Sequence, residues 1–493
     1  MNKVTTTILL VFLTIQLPAQ RVLTLDDCRN LALQNNKEQK IAEEEIKIAG
    51  YKKKAAFTKY LPDISLKGAY LRNQKEMSLI SQDMFLPIGT RMADGSFGFS
   101  QDQINNRWTI VNGQPAPLDA NGLPFDPKAD PEKIMWKNYT TIPKEELTFD
   151  TRNIYVGAIN LVQPIFMGGK IVAYNKIAEL SKELAASQQE TNRQEIILNT
   201  DETYWQVISL TGKKKAVEGL LELLSKMEYD VDALVENGLA TKADKLSVLV
   251  KKNEAEMALL KVDDGISLSK MLLAQYCGFP MEETFSLADE QTNDIPVKIS
   301  GDTIELSQVY ANRSEIKSLD YAQKLYRQKE KVVRADLLPN IALTANYLAT
   351  NPNSVNGFKN KFDFAWNIGV MVNIPLLHWG ENIHLLNAAK SETMIAGYKL
   401  SEAQEKIELQ LNQSLFKQTE AAKKLQLAQK NLEKANENLR YATLGFREGV
   451  IPASNLLEAQ AVWLSANSDK IDAEVEAKMS EVYLQKAMGT LGK

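Results

Sequence analysis

The chain contains two copies of one sequence segment, and this internal repeat constrains its fold more than any other sequence feature. Residues 31–71 align without gaps with residues 308–348, and residues 161–278 align without gaps with residues 372–489. The identities are few, but they include the prolines and glycines that punctuate secondary structure. The two offsets, 277 and 211 residues, differ by 66, so the first copy carries an insertion of about that length. We interpret the chain as a tandem duplication with one enlarged connection.

Each copy contains two segments whose apolar residues alternate as in a β-strand. The clearest spans residues 362–374, and its apolar face consists of Phe362, Phe364, Trp366, Ile368, Val370, Val372 and Ile374. The other three segments begin near Ile64, Ile154 and Ile341. A single strand of this kind is more often part of a soluble domain, but four long ones favour a membrane sheet. Four strands cannot close a barrel, and lipid tolerates no open edge, so we expect identical chains to share one barrel.

Long segments without proline predict two very long helices. Residues 170–235 and 381–447 each give roughly 100 Å of helix at ~1.5 Å per residue. A heptad seam supports the second of these helices. Its residues are Leu425, Ala428, Leu432, Ala435, Leu439, Ala442 and Phe446. Each helix ends at a glycine-containing turn and should return as an antiparallel partner of about half its length. The helices expected near 38–60 and 315–337 would stack on these partners and complete each column.

These features together resemble the TolC family of outer-membrane efflux and export proteins. Leu61-Pro62 and Leu338-Pro339 are similar to the family's helix-to-strand break, and 163–169 and 374–380 resemble its strand-to-helix hinge. His378-Trp379 departs from the usual acidic-glycine pair at that hinge. The segments 23–36 and 487–491 resemble the start and the end of the family's chains. Each motif is weak alone, but their order and their duplication are specific.

The resemblance implies a mixed fold class of two membrane β-strands and long antiparallel coiled-coil helices per repeat. It implies a homotrimer in which a 12-stranded β-barrel is continuous with a periplasmic α-helical barrel. Such a protein is a passive conduit of a tripartite efflux or type I secretion system, located in outer-membrane lipid and gated at its periplasmic helix tips. A periplasmic adaptor protein and an inner-membrane transporter would be its partners. The alternative from the residues is a soluble periplasmic coiled-coil scaffold or adaptor.

The resemblance also assigns candidate site residues. The periplasmic gate candidates are Asp244, Asn455 and Glu458, of which Asn455 replaces an acid often found there. Rings of Asp244 and Glu458 carboxylates would favour cations, but an acid in the first turn of a helix is equally expected from the helix dipole. The adaptor-docking candidates at the helix-tip turns are Gly238, Leu239, Gly449 and Val450. The strand-to-helix hinge candidates are Pro164, Gly168, Gly169, Pro375 and Gly380.

The predicted organisation begins with a signal peptide over residues 1–19, which has a Lys3 start, an apolar core and a small-residue cleavage region. The first repeat spans 20–278, with a long extracellular insertion over about 72–152 that is either a surface loop or a cap on the outer mouth. An inter-repeat linker, the family's equatorial region, follows over 279–304. The second repeat spans 305–493.

Several functions are excluded by composition and motifs. The net charge of −4 gives no basic surface for nucleic acid. No nucleophile, acid–base or phosphate-binding motif is present, so we expect neither an enzyme nor a cofactor. The six-residue spacing of His378 and His384 does not support a metal site. We expect Cys28 and Cys277 to stay unpaired, because no local feature places them together.

Overall fold

The structure, a computed structural model, describes residues 21–88, 90–91, 93, 97–98, 102–292, 304–353 and 359–492. The predicted signal peptide, residues 1–19, and residues 293–303 of the predicted linker lie outside the described residues. The chain forms two compact units. Among the described residues, the helical unit contains those of 21–59, 168–338 and 375–492, and the sheet unit contains those of 60–167 and 339–374. Both sequence repeats contribute to each unit.

The helical unit contains eight α-helices and a two-stranded parallel sheet within the described residues. The helices are α1 (Leu25–Asn35), α2 (Lys37–Phe57), α3 (Lys170–Glu236), α4 (Lys242–Cys277), α5 (Leu306–Asn312), α6 (Ser314–Ala335), α7 (Glu381–Arg447) and α8 (Ala453–Met488). The sheet pairs β1 (Arg21–Leu23) with β12 (Phe285–Leu287), so the predicted linker contains a strand. The two predicted long helices are confirmed, because α3 and α7 have 67 residues each. None of the described helices is apolar over enough of its length to cross a bilayer.

Each long helix packs against two shorter ones, as the repeat predicted. Near its start, α3 binds α2 through Asn175 Nδ2, which donates to Ala56 O at 2.9 Å. Near its end, α3 packs on α4, where the Lys252 amine lies 2.7 Å from Glu228 Oε2. Helix α7 packs in the same way on α6 and α8. The predicted α7 seam is confirmed by its alternation of buried and exposed positions, with Ala428, Ala435 and Phe446 buried.

The helical unit is also held together across the repeats, because α3 packs on α8. A Cβ atom at Gly212 would lie 3.2 Å from Ile471 Cδ1, and one at Gly219 would lie 3.7 Å from Trp463 Cη2. These glycines therefore permit a close approach of the two helices. Helix α8 consequently buries two faces, one on α7 and one on α3.

A core at the middle of α3 joins the chain's start to its linker. Its buried residues include Leu23 of β1, Tyr204 of α3 and Leu287 of β12. The Tyr204 hydroxyl donates to Asp289 Oδ2 at 2.6 Å, and burial raises the pKa of this tyrosine. Tyr204 thereby fixes the linker against α3.

The two cysteines meet in this same core. Cys28 of α1 and Cys277 at the end of α4 are fully buried free thiols, and Cys277 Sγ lies 3.7 Å from Cys28 O. Both are unpaired, as expected from the sequence, but the structure places them next to each other. Their proximity depends on the packing of helices 249 residues apart in the chain, which local sequence patterns do not report.

The sheet unit is built on four antiparallel strands. They are β2 (Asp63–Arg72), β11 (Asn153–Met167), β13 (Asn340–Asn351) and β14 (Asp363–Asn373), in the order β14-β13-β11-β2. All four predicted strands are confirmed. In the part of the chain that the structure describes, β2 and β14 each pair on one side alone, so both outer edges of this sheet are open.

The two faces of this sheet differ in polarity. Trp366, Tyr347, Ile159 and Leu66 are paired in one row across the four strands and are 73%, 48%, 47% and 80% exposed. One residue along, a row on the opposite face contains Asn367, Asn346, Asn160 and Ser65. Asn346 Nδ2 donates to Asn367 Oδ1 at 2.8 Å. The sheet thus has an apolar face open to its surroundings and a face lined with amides.

The insertion between β2 and β11 folds as a series of two-stranded sheets. Its strands are β3 (Met77–Ser78), β4 (Met84–Pro87), β5 (Thr90–Arg91), β6 (Phe97–Gly98), β7 (Trp108–Val111), β8 (Gln114–Pro117), β9 (Tyr139–Ile142) and β10 (Thr148–Phe149). A small core of Ile104, Phe125 and Ile134 supports them. Beside it, Asn106 donates to two backbone carbonyls and accepts from the Met135 amide at 2.7 Å. The insertion therefore has a structure of its own.

Candidate functional site at the helix tips

Two equivalent turns close the helical hairpins. Gly238 and Gly449 occupy aligned positions, and both have a φ of +71°. In each turn the next residue donates its backbone N–H to a carbonyl five residues back, Leu239 to Leu234 and Val450 to Gly445, both at 2.8 Å. A left-handed residue at this place ends a helix with its last carbonyls satisfied, and glycine adopts this conformation without strain.

The residues that follow the two glycines have exposed apolar side chains. Leu239 and Val450 are aligned in the repeat and are 77% and 76% exposed. Apolar side chains exposed at a loop tip are consistent with a surface that another protein covers. The structure therefore places the adaptor-docking candidates at the apex of each hairpin.

The two returning helices begin differently. Thr241 and Asp244 form a capping box at α4, because Asp244 N donates to Thr241 Oγ1 at 3.2 Å and Thr241 N donates to Asp244 Oδ2 at 2.9 Å. The aligned residues at α8 are Pro452 and Asn455, and Pro452 has no side-chain cap. Proline offers neither an N–H nor a hydroxyl, so no reciprocal box can form there. The T-x-x-D spacing alone could have revealed this role of Asp244.

The capping contact favours the ionised form of the Asp244 carboxyl. Hydrogen bonds from the Thr241 hydroxyl and backbone N–H lower the pKa of the Asp244 carboxyl. This carboxylate therefore stabilises its own helix, which favours the structural role for Asp244. Glu458, by contrast, is exposed and makes no salt bridge among the described residues. Asn455 is exposed and lies one turn before it.

The two tips enclose a shared groove of about 940 Å³. It is lined by residues of both turns, including Leu239, Asp244, Gly449, Val450 and Pro452. Beneath it, Val231, Phe446 and Leu457 belong to one buried core that joins the hairpins. The structure thus brings three docking candidates and one gate candidate together, whereas Asn455 and Glu458 do not line this groove.

At the starts of the long helices, two consecutive residues adopt left-handed backbone conformations. In the first repeat they are Gly168 and Gly169, with φ of +60° and +83°. In the second they are Trp379 and Gly380, with φ of +49° and +84°. The backbone conformation is thus the same in both repeats, even though Trp379 stands where the first repeat has Gly168.

The two hinge prolines do not occupy equivalent structural positions. Pro375 follows the end of β14, as predicted, but Pro164 lies within β11, three residues before the strand ends. The pairing of β11 with β13 slips between Pro164 and Phe166. A proline cannot donate to the sheet, and a bulge accommodates it. Pro164 thus lies within the strand beside a bulge, and the two left-handed residues before α3 are Gly168 and Gly169.

Within the described residues, no three His, Cys, Asp or Glu side chains come close enough to hold a metal ion. His384 lies beside Gly380 in the first turn of α7, where its imidazole would be about 3.6 Å from a Cβ at that glycine. His378 precedes the helix in the irregular segment after β14.

A comparison with protein families indicates the class of protein. Residues 306–490 match the model of the family described as outer membrane efflux protein. The match covers nearly the whole second repeat, and the resemblance to TolC-family proteins predicted from the sequence is confirmed. No curated protein matches the chain.

Solved structures extend the likeness to the whole fold. The outer membrane protein VceC of Vibrio cholerae has a TM-score of 0.68 at 15% identity, over 94% of this chain and 96% of its own. The outer membrane channel CmeC of Campylobacter jejuni has a TM-score of 0.68 at 16% identity, over 94% and 85% of the two chains. The open-state outer membrane channel MtrE of Neisseria gonorrhoeae has a TM-score of 0.66 at 14% identity, over 95% and 89%. The chain has the fold of outer-membrane efflux channels.

Proposed function

We propose that three copies of this chain form a passive duct in the outer membrane, as the exit channel of an efflux or secretion system. The observation that carries this proposal is the four-stranded sheet, which has two open edges and rows of exposed apolar side chains on one face. Open edges require partner strands in lipid, and three sheets of four strands close a 12-stranded β-barrel. The amide row formed by Asn367, Asn346 and Asn160 suits a water-filled interior.

The same face argues against a soluble periplasmic scaffold. In water, side chains such as Trp366, Ile368 and Leu66 would form an exposed apolar patch with no partner. In a membrane, lipid chains would cover these apolar side chains and remove them from water.

Fractionation and conductance measurements test the proposal together. The protein should sediment with outer membranes, migrate as a heat-modifiable trimer and produce discrete channels in planar lipid bilayers. Release by osmotic shock as a monomer, without channel activity, would instead identify a soluble scaffold.

The helix tips are proposed as both the gate and the docking site. Exposed Leu239 and Val450 supply apolar contacts at the groove that an adaptor protein would cover. Repeated by threefold symmetry, the Glu458 carboxylates would form a ring that attracts cations at the entrance. Energy for transport would come from an inner-membrane transporter.

The insertion is proposed to constrict the outer mouth, since its own core gives it a defined shape. Removal of residues 75–148 should then raise single-channel conductance. An unchanged conductance in a trimer of normal heat stability would identify the insertion as a surface loop alone.

A further inference from the structure

Three contacts hold the end of α4 against α1 and thereby bring Cys277 to Cys28. Cys277 Sγ lies 3.7 Å from the carbonyl oxygen of Cys28. Asn35 Nδ2 donates to the carbonyl of Cys277 at 2.8 Å. A Cβ atom at Gly278 would lie 2.3 Å from Asn35 Cβ, so these two backbones approach as closely as glycine permits. The thiols are therefore fixed side by side on two independently anchored backbones.

The thiols are not needed to build such a junction. When the offset of 277 residues is extended three residues beyond the aligned segment, Cys28 corresponds to Glu305, and the offset of 211 residues matches Cys277 with Met488. That junction still forms, with a Cβ at Gly489 only 2.9 Å from the Asn312 carbonyl carbon. The sequence has two cysteines in 493 residues, and both lie at the same one of these two equivalent joints. A shared role in covalent cross-linking explains that coincidence better than packing does.

We propose that Cys28 and Cys277 form an intramolecular disulfide bond when the exported chain folds, linking α1 to the first helical hairpin. The reaction is thiol–disulfide exchange with a disulfide-bonded dithiol of an oxidising compartment. One thiolate attacks the oxidant to give a mixed disulfide, and the second displaces the reduced dithiol. The two cysteines lose two protons and two electrons, and the oxidant gains them.

The exchange occurs before α1 is fully docked. Both side chains are inaccessible to solvent in the folded protein, and hydrogen bonding with Cys277, together with burial, raises the pKa of the Cys28 thiol. Thiolate is the attacking species, so the folded and reduced protein reacts slowly. Once formed, the bond closes a loop of about 250 residues and restricts the unfolded chain, which stabilises the fold.

Thiol counting by mass tests this inference. The full-length protein is purified from outer membranes without reductant, unfolded in acid-quenched urea and alkylated with a maleimide. We expect no adduct before reduction and two adducts after it. The same chain without residues 1–19, kept in a reducing cytoplasm, should give two adducts directly. Cys28→Ala should leave a single alkylated thiol and no internal cross-link.

A refolding experiment separates this inference from export. Chain refolded in a glutathione redox buffer should acquire the same internal disulfide, and a reductant should lower its melting temperature by several degrees. The double variant Cys28→Ala/Cys277→Ala should show no such reductant-dependent shift. Two free thiols in both preparations, a glutathione adduct that persists, or a cross-link between chains would overturn the proposal.

Discussion

Arg29 and Asp201 form a two-pronged ion pair that fastens α1 to the middle of α3. Arg29 Nε lies 2.7 Å from Asp201 Oδ1, and its second guanidinium nitrogen lies 2.5 Å from Oδ2. The Asp201 side chain is completely buried, whereas Arg29 remains partly exposed. Burial raises the pKa of the Asp201 carboxyl, and the hydrogen bonds from Arg29 oppose that rise. Arg29 therefore supplies the largest compensation for burying this carboxylate, and Lys478 adds a smaller one.

We predict that Arg29→Ala destabilises the protein by about 3–5 kcal/mol, because it leaves a buried charge unpaired. Urea denaturation followed by circular dichroism at 222 nm measures the loss. Lys47→Ala removes an exposed pair with Glu44 and should have little effect on stability, because solvent screens such surface pairs. Since the folded-state pKa of Asp201 is raised, its contribution to stability is largest in acid and falls as pH rises through that pKa. Arg29→Ala should therefore destabilise the protein least at low pH. Equal losses of stability in Arg29→Ala and Lys47→Ala would contradict the prediction.

Thr241→Ala should loosen the start of α4 but leave α8 unchanged. Loss of an N-cap costs about 1 kcal/mol, which corresponds to an increase of about fivefold in amide hydrogen exchange in the first turn. Pro452→Ala changes the aligned position, where no cap is lost, and should have little effect. Because the pKa of Asp244 is lowered, its contribution is present above the ordinary carboxyl pKa near 4 and is lost as pH falls below it. Equal exchange in the two variants would disprove the capping role.

At the first hinge, Gly168→Ala should destabilise the protein more than Gly169→Ala. Both glycines are left-handed, which costs a residue with a Cβ roughly 1–2 kcal/mol. At Gly168 the added Cβ would also lie 2.8 Å from Ala335 O, whereas no atom lies within 4 Å at Gly169. The difference in melting temperature between the two variants isolates this clash. Matching melting temperatures would show that the hinge backbone shifts freely.

The two acidic gate candidates, Asp244 and Glu458, have different surroundings, so we expect unequal effects when each is replaced. Glu458→Ala should weaken block by polyvalent cations several-fold, because this carboxylate is exposed and has no partner among the described residues. Asp244→Ala should change block much less, since its carboxylate is held by Thr241. Planar-bilayer recording with and without a polyvalent cation measures both effects, with Glu433→Ala on α7 as a control. Block that is insensitive to Glu458→Ala would remove the proposed carboxylate ring.

Features set by local periodicity were predictable from the sequence. The absence of proline and the 3-4 spacing of Leu425, Ala428 and Leu432 predicted α7, and alternation predicted β14. The duplication then transferred each prediction to the other repeat. Even the tip turns followed, because Gly238 and Gly449 align and a left-handed residue is required in both places.

Features that depend on which elements meet were not predictable in this way. A heptad stripe through Leu457 and Leu464 of α8 would bury Ala461. Ala461 is exposed, however, whereas Ala466 and Ala473 are buried. Helix α8 packs on α3 as well as α7, so a single heptad stripe cannot describe it. Pro164 aligned with Pro375, but pairing with β13 extends the first strand through it. The meeting of Cys28 and Cys277 likewise arises from packing between distant segments.

The open edges of the four-stranded sheet have a consequence for how the chain must be made. A protomer that completed this sheet alone would present two rows of unsatisfied backbone groups beside Trp366 and Leu66, a template for unwanted strand addition. In the proposed trimer, association with identical chains must therefore be faster than aggregation. The yield of functional protein should then depend on the rate of synthesis and on chaperones that shield the nascent strands.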